Sequence, residues 1–164
     1  MGLKVKLTEE EINLAYEIAQ KRNQSQRKSN RRDGNVLADS LEIDKQGAAA
    51  EMAVAKALGR AWDGKFFEIG EWYKWREVGN DVSGLEIRST KHKNGRLILH
   101  PRDKDYAPFI LVVQNKDDFE LVGWLYAFEG KKQEYWKDVG YGRPCYYAPQ
   151  EILRDITTIP VKVK

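Results

Sequence analysis

The 164-residue sequence predicts a single α/β (α+β) domain, residues 1–164, in which two helices lead into a central mixed sheet flanked by helices. Three observations carry that expectation. Apolar residues recur at helical spacing only before Gly59, runs rich in β-branched and aromatic residues dominate from Leu85 to Tyr126, and turn-forming residues separate those runs.

Thr8-Glu9-Glu10-Glu11 opens the first helix, with Thr8 as cap and Glu11 three residues on as the return partner of a capping box. Ile12, Ala15, Tyr16 and Ala19 then define its apolar face. The pattern dissolves near Asn23, and residues from about Asn23 to Ser40 read as a long loop. Asp44 starts a second helix that runs to Leu58, with Gly59 as its stop. Its Ala content favours the helix, and its small Ala and Gly side chains let the backbone approach a sheet closely.

Strands are expected at Lys65–Ile69, Leu85–Thr90, Arg96–His100, Phe109–Gln114 and Phe119–Tyr126. Asn94-Gly95 and the stretch Asn115–Asp118 supply turns between them. Gly123 suggests a bulge or a close approach of two segments. Trp124, Tyr126, Tyr135, Trp136, Tyr141, Tyr146 and Tyr147 are expected to build the core and flanking layers of the C-terminal half. Pro149 precedes a short helical stretch over Gln150–Arg154.

Composition narrows the functional classes. Five Trp, eight Tyr and five Phe supply bulk for a core, although 32% of the residues are charged. Cys145 is the only cysteine, which excludes an intramolecular disulfide. With only His92 and His100 beside it, a zinc centre of the Cys/His kind is not expected. The opening residues lack the apolar stretch of a signal peptide, and no apolar run approaches the ~18 residues of a membrane span. A cytoplasmic protein without a membrane partner is therefore expected.

The net charge of +3 names no partner, but its distribution does. Between Lys21 and Arg32 stand Lys21, Arg22, Arg27, Lys28, Arg31 and Arg32 without one acid. Such a basic loop, at about residues 21–40, can attract a phosphate backbone and release its counterions, or it can be a solvated segment. Arg102 and Lys104 follow a candidate strand and could contact phosphates, with Asp103 and Asp105 punctuating the turn. Trp72, Tyr73 and Trp75 alternate with Lys74 and Arg76, a mixture suited to stacking bases or to core packing. Lys131-Lys132 reads as a solvated helix end or an extension of a nucleic-acid face.

Three acids stand out. Glu51 has Gly47, Ala48, Val54, Ala55 and Leu58 as its helical neighbours, so it lies on or beside the apolar face. A carboxylate there must be paired, protonated or bound to a cation. The alternative is a Glu at the helix edge that reaches solvent or pairs with an arginine. Alternation in the strand from Leu85 puts Glu86, Arg88 and Thr90 on one face. A bend at Ser83-Gly84 would let Asp81 converge on Glu86, and a hard divalent cation such as Mg²⁺ or Mn²⁺ would relieve their repulsion. The bland alternative is a polar strand face on which Glu86 pairs with Arg88.

Gly47-Ala48-Ala49-Ala50-Glu51 on a helix, then Asp81, then Glu86-Ile87-Arg88, resembles the PD-(D/E)XK nuclease superfamily over residues 47–91. The resemblance implies a restriction-endonuclease-like αβββαβ core, which the strands at Ile98–Leu99 and Phe109–Val113 would complete. It implies a Mg²⁺- or Mn²⁺-dependent deoxyribonuclease, with Asp81, Glu86 and Glu51 as metal ligands. The triplet's usual Lys is replaced by Arg88, which keeps charge and a two-donor fork but is a poor base. Arg88 then serves as an electrostatic clamp, and Lys91 is the backup. Asn80 stands where the family has Pro. His92 or His100 could move a proton, or either could be an ordinary surface or core histidine.

The expected partner is DNA, contacted through Arg27, Lys28, Arg31, Arg32, Arg102 and Lys104. The resemblance leaves a homodimer open and is compatible with a phage-type enzyme working in a host cytoplasm. The competing expectations are a nucleic-acid-binding module of the same fold without turnover, and a structural or protein-interaction domain.

Overall fold

The computed structural model describes residues 2–28, 37–60, 84–138 and 143–160; for 24–28 and 37–40 this covers the helical backbone but not the side chains. In chain order the elements are β1 (Leu3–Lys6), α1 (Glu9–Lys28), α2 (Leu37–Leu58), β2 (Glu86–Thr90), β3 (Leu97–Leu99), β4 (Pro108–Asn115) and β5 (Asp118–Tyr126). A one-turn helix α3 (Ala127–Gly130), β6 (Trp136–Lys137) and β7 (Cys145–Ala148) follow, with 3₁₀ turns at Gln133–Tyr135, Gln150–Ile152 and Ile156–Thr158. The mixed α/β class agrees with the sequence.

Both helix signals act as anticipated at their ends. The Thr8 amide donates to Glu11 Oε1 at 2.9 Å, and the Glu11 amide donates to Thr8 Oγ1 at 3.2 Å, closing the capping box. Gly59 takes φ +65° after α2, and the Arg60 amide reaches back to the Ala55 carbonyl at 2.9 Å. That six-to-one bond is the Schellman arrangement, which needs a residue tolerant of positive φ at Gly59. The helices overrun the expected loop: α1 continues to Lys28 and α2 begins at Leu37, so both ends of the stretch from Asn23 to Ser40 are helical. Asn23 itself is buried and donates to Asp44 Oδ2 at 3.1 Å, which ties the two helices where a loop was expected.

The main sheet has the strand order β1-β5-β4-β2. β1 and β4 flank β5 antiparallel, while β2 runs parallel to β4, with Glu86 opposite Phe109 and Thr90 opposite Val113. A parallel pair needs a crossover, and residues 91–107 provide it through β3 rather than through a helix. β3 therefore does not join the main sheet as expected; it pairs with β7 in a second sheet, β3-β7-β6. β1, β6 and β7 are too short, or too interrupted by polar residues, to stand out in the sequence.

Alternation along β4 builds two cores. Ile110 and Val112 pack with Ala48, Ala49, Ala50, Ala53 and Val54 of α2. Phe109 and Leu111 face the other way and pack with Leu97, Leu99 and Ala148 of the second sheet. One face of the main sheet is thus covered by helices and the other by a small sheet, which corrects the expectation of helices alone as flanking layers. A register shift between Leu111 and Val112 marks a bulge, and a Cβ on neighbouring Gly123 would lie 2.6 Å from the Arg154 carbonyl oxygen. Gly123 permits that approach, and residues Trp124 and Arg154 bridge there.

Candidate active site

α2 carries Glu51 through the middle of the larger core. Residues 48–55 are all buried because the helix lies between α1 and the sheet. Glu51 is 7% exposed and meets Arg22 of α1, which donates from Nη1 to Oε2 at 2.9 Å and from Nη2 to Oε1 at 3.3 Å. The paired-arginine alternative therefore describes Glu51 in this structure. Arg22, read from sequence as part of a basic segment, is instead a half-buried partner of this acid. The fork satisfies both carboxylate oxygens and removes most of the cost of burying them.

The same helix touches the motif strand at one hydrogen bond, Gln46 Nε2 to Ser89 Oγ at 3.0 Å. Ser89 and Ile87 therefore face α2. Glu86, Arg88 and Thr90 alternate to the opposite face, toward the second sheet, as the sequence pattern predicted. Glu51 and Glu86 consequently stand on different sides of β2, and the described residues do not bring them together.

Arg88 is held in place on all sides. Both Asp103 carboxylate oxygens accept from its Nη2 at 3.1 and 3.0 Å, its Nε donates to the Ile98 carbonyl at 3.2 Å, and its guanidinium lies 4.9 Å from the Phe109 ring centroid. The expected alternative partner, Glu86, is not the one it takes. Asp103 also accepts from the His100 amide at 2.8 Å, so an acid read as turn punctuation anchors the loop and the arginine together. Lys131 completes this loop by donating to the carbonyls of Pro101 and Asp103 and to Asp105 Oδ1. It is a structural lysine, not a solvated helix end.

β2 ends at Thr90, and the chain bends before strict alternation can carry Lys91 to the far side. Lys91 and Arg88 accordingly line one cleft of about 740 Å³, together with His92, Lys93, Arg96 and Tyr147. The turn is fixed internally. The His92 amide donates to Thr90 Oγ1, the Gly95 amide donates to the His92 carbonyl, and Gln150 Nε2 donates to the carbonyls of Lys93 and Gly95. Lys93, Arg96 and Gln150 were not singled out from sequence; only the Asn94-Gly95 turn signalled this region.

Arg102 and Lys104 are exposed on the loop after β3, as a phosphate contact would require. His100 is half-buried, and that burial holds its pKa below the ordinary imidazole value, with Arg88 reinforcing the shift and Asp103 opposing it. Its Nδ1 lies 3.2 Å from Cys145 Sγ, and burial raises the thiol above its usual range. Both groups are therefore kept neutral, which is a packing pair rather than an activated nucleophile. Asp81, Arg31, Arg32 and the Trp72–Arg76 cluster lie outside the described residues, as does the expected strand Lys65–Ile69; Arg27 and Lys28 are described only as backbone at the end of α1. Among the described residues, no three His, Cys, Asp or Glu side chains come together as a metal group, and no helix is long and apolar enough to cross a membrane. No family model matches the sequence, and no curated protein or solved structure matches it either.

Proposed function

We propose that this chain is a metal-dependent nuclease that hydrolyses phosphodiester bonds of DNA, built on the αβββαβ core of the PD-(D/E)XK superfamily. The observation that carries the reading is the arrangement around β2. Glu86 and Arg88 share one face of a strand whose parallel neighbour is reached by a crossover, and α2 with its buried acid packs on the other face. A parallel partner reached by a crossover is what the last two strands of an αβββαβ unit have, although here the crossover passes through β3 where that unit has a helix.

The donors fit a hard divalent cation. Glu86 with Asp81 would hold Mg²⁺ or Mn²⁺, aided by the Ile87 carbonyl; all are oxygen ligands. Such an ion, when bound, activates water and neutralises phosphoryl charge. Glu51, paired with Arg22 and on the other side of β2, stands apart from this set. Arg88 supplies fixed positive charge near Glu86, and Lys91, lining the same cleft, supplies a flexible cation beside it. Arg102 and Lys104 extend the surface toward a phosphate backbone. The chain would act in a cytoplasm, alone or as a homodimer.

One observation favours a second reading, a DNA-binding module of this fold without turnover. Arg88 is engaged by Asp103 and Ile98, so the residue replacing the family's lysine is oriented by the protein before any phosphate arrives. Incubation of the purified chain with plasmid and single-stranded DNA in Mg²⁺, Mn²⁺ or EDTA, beside Glu86→Ala, separates the two. Metal-dependent cutting lost in the variant supports the nuclease. Binding without cutting supports the module, and the absence of both, with no divalent-ion binding, sinks both readings.

A further inference from the structure

We propose that the turn joining β2 to β3 is a clamp for a nucleic-acid backbone, with Lys91 and Lys93 as its phosphate contacts. The inference rests on the nucleic-acid reading above but not on catalysis. The cleft beside this turn is lined by Arg88, Lys91, His92, Lys93 and Arg96, and none of the described residues lining it is acidic. Arg88 and Arg96 are already bonded to protein groups, Arg96 through Nη1 to the Tyr147 carbonyl at 3.3 Å. The side chains of Lys91 and Lys93 make no hydrogen bond or ion pair among the described residues. Among the described residues, two ammonium groups without a partner thus stand beside Arg96, whose guanidinium meets a carbonyl and no acid, while the charge of Arg88 is offset by Asp103. A bound anion relieves the repulsion among these three cations.

The shape points to a polymer rather than a small anion. Lys91 and Lys93 also line a second cleft of about 790 Å³ on the other side of the turn, which continues to Lys4 and Lys6 of β1. Asp118 and Glu120 reach that second cleft, so the positive character is concentrated at the turn and thins toward β1. Two clefts meeting at one pair of lysines form a track across the carboxyl ends of the parallel strands β2 and β4. A phosphodiester strand presents repeated charges along such a path, and lysine accepts them as a point charge without fixed geometry. The turn is also preorganised: Gln150 holds two of its carbonyls, and a Cβ on Gly95 would come within 2.6 Å of Thr90 Cγ2. Binding therefore need not order the backbone that carries the lysines.

The test is fluorescence anisotropy of labelled single-stranded and duplex oligonucleotides in EDTA across a salt series. It compares the wild-type chain, Lys91→Ala/Lys93→Ala, and a charge-matched control, Lys137→Ala/Arg143→Ala, on β6 and the segment before β7. The clamp predicts affinity lowered on the order of tenfold in low salt, and a log–log salt slope shallower by roughly 1.5, as two lost phosphate contacts require. The control should keep the wild-type slope. Unchanged binding in the first variant, or an equal loss in the control, overturns the clamp while leaving the nuclease reading to the Glu86→Ala assay. A wild-type chain that binds neither oligonucleotide overturns the clamp and the nucleic-acid reading together. Matching circular dichroism spectra establish that the variants are folded.

Discussion

Arg88 and Asp103 form a two-bond ion pair that ties the motif strand to the loop after β3. The pair is mostly shielded, with side-chain exposures of 28% and 12%. It means that the cation beside Glu86 is positioned by the protein itself. Arg88→Lys keeps the charge but not the fork, and should lower stability by about 1–3 kcal/mol in urea denaturation. Arg88→Ala should cost at least as much because Asp103 is then left without its cation. An unchanged denaturation midpoint in both variants would show that the pair is incidental.

The Arg22–Glu51 pair makes a different prediction. Removing one partner leaves the other charge in a mostly apolar setting, so Glu51→Leu alone should destabilise the fold by about 2–4 kcal/mol. The double variant Arg22→Met/Glu51→Leu should be less destabilised than that single variant, since neither charge remains to be buried. A double-mutant cycle with no coupling would remove Arg22 as the reason Glu51 is tolerated.

His100 gives a pH dependence. Its folded pKa lies below the ordinary 6.5, chiefly through burial and then through Arg88, although Asp103 opposes both. The unfolded chain therefore takes up a proton first as pH falls through 6.5, and the native state loses stability down to the folded pKa. Wild-type stability should decline on acidification from 6.5, and His100→Asn should flatten that part of the curve. Cys145 works at the opposite limit: its raised pKa means stability falls as pH rises above 9.0. Native Cys145 should also react with thiol reagents far more slowly than the urea-unfolded chain.

Two glycines separate conformational freedom from close contact. A Cβ on Gly47 of α2 would meet nothing within 4 Å, and its φ is not in the left-handed range. Gly47→Ala should therefore stabilise the helix by about 0.5–1 kcal/mol. Gly95→Ala places its methyl against Thr90 and should lower both stability and the order of the turn. Thermal unfolding of the two variants should shift in opposite directions.

Much of this organisation was legible in local residue chemistry. Thr8 and Glu11 state their capping box outright, Gly59 marks the end of α2, and the pattern Glu86-x-Arg88 fixes which face of β2 those residues occupy. The long-range partners were not legible. Nothing near Glu51 in the sequence names Arg22, and Asp103 looks like any turn aspartate until β2 and β3 are folded side by side. The second sheet was hidden for a related reason, since β6 and β7 are two and four residues long. Their pairing comes from tertiary placement, not from periodicity.

The pairing of β1 has a consequence for how the domain is made. Leu3 and Val5 pair with Leu121 and Phe119, so β1 finds its partner only after α1, α2, β2, β3 and β4 have been synthesised. A ribosome releases β1 and both long helices long before β5 exists, and the main sheet cannot close until β5 has emerged. α1 and α2 can meet early through Arg22, Glu51, Asn23 and Asp44. The helical pair is then a platform that waits for its sheet.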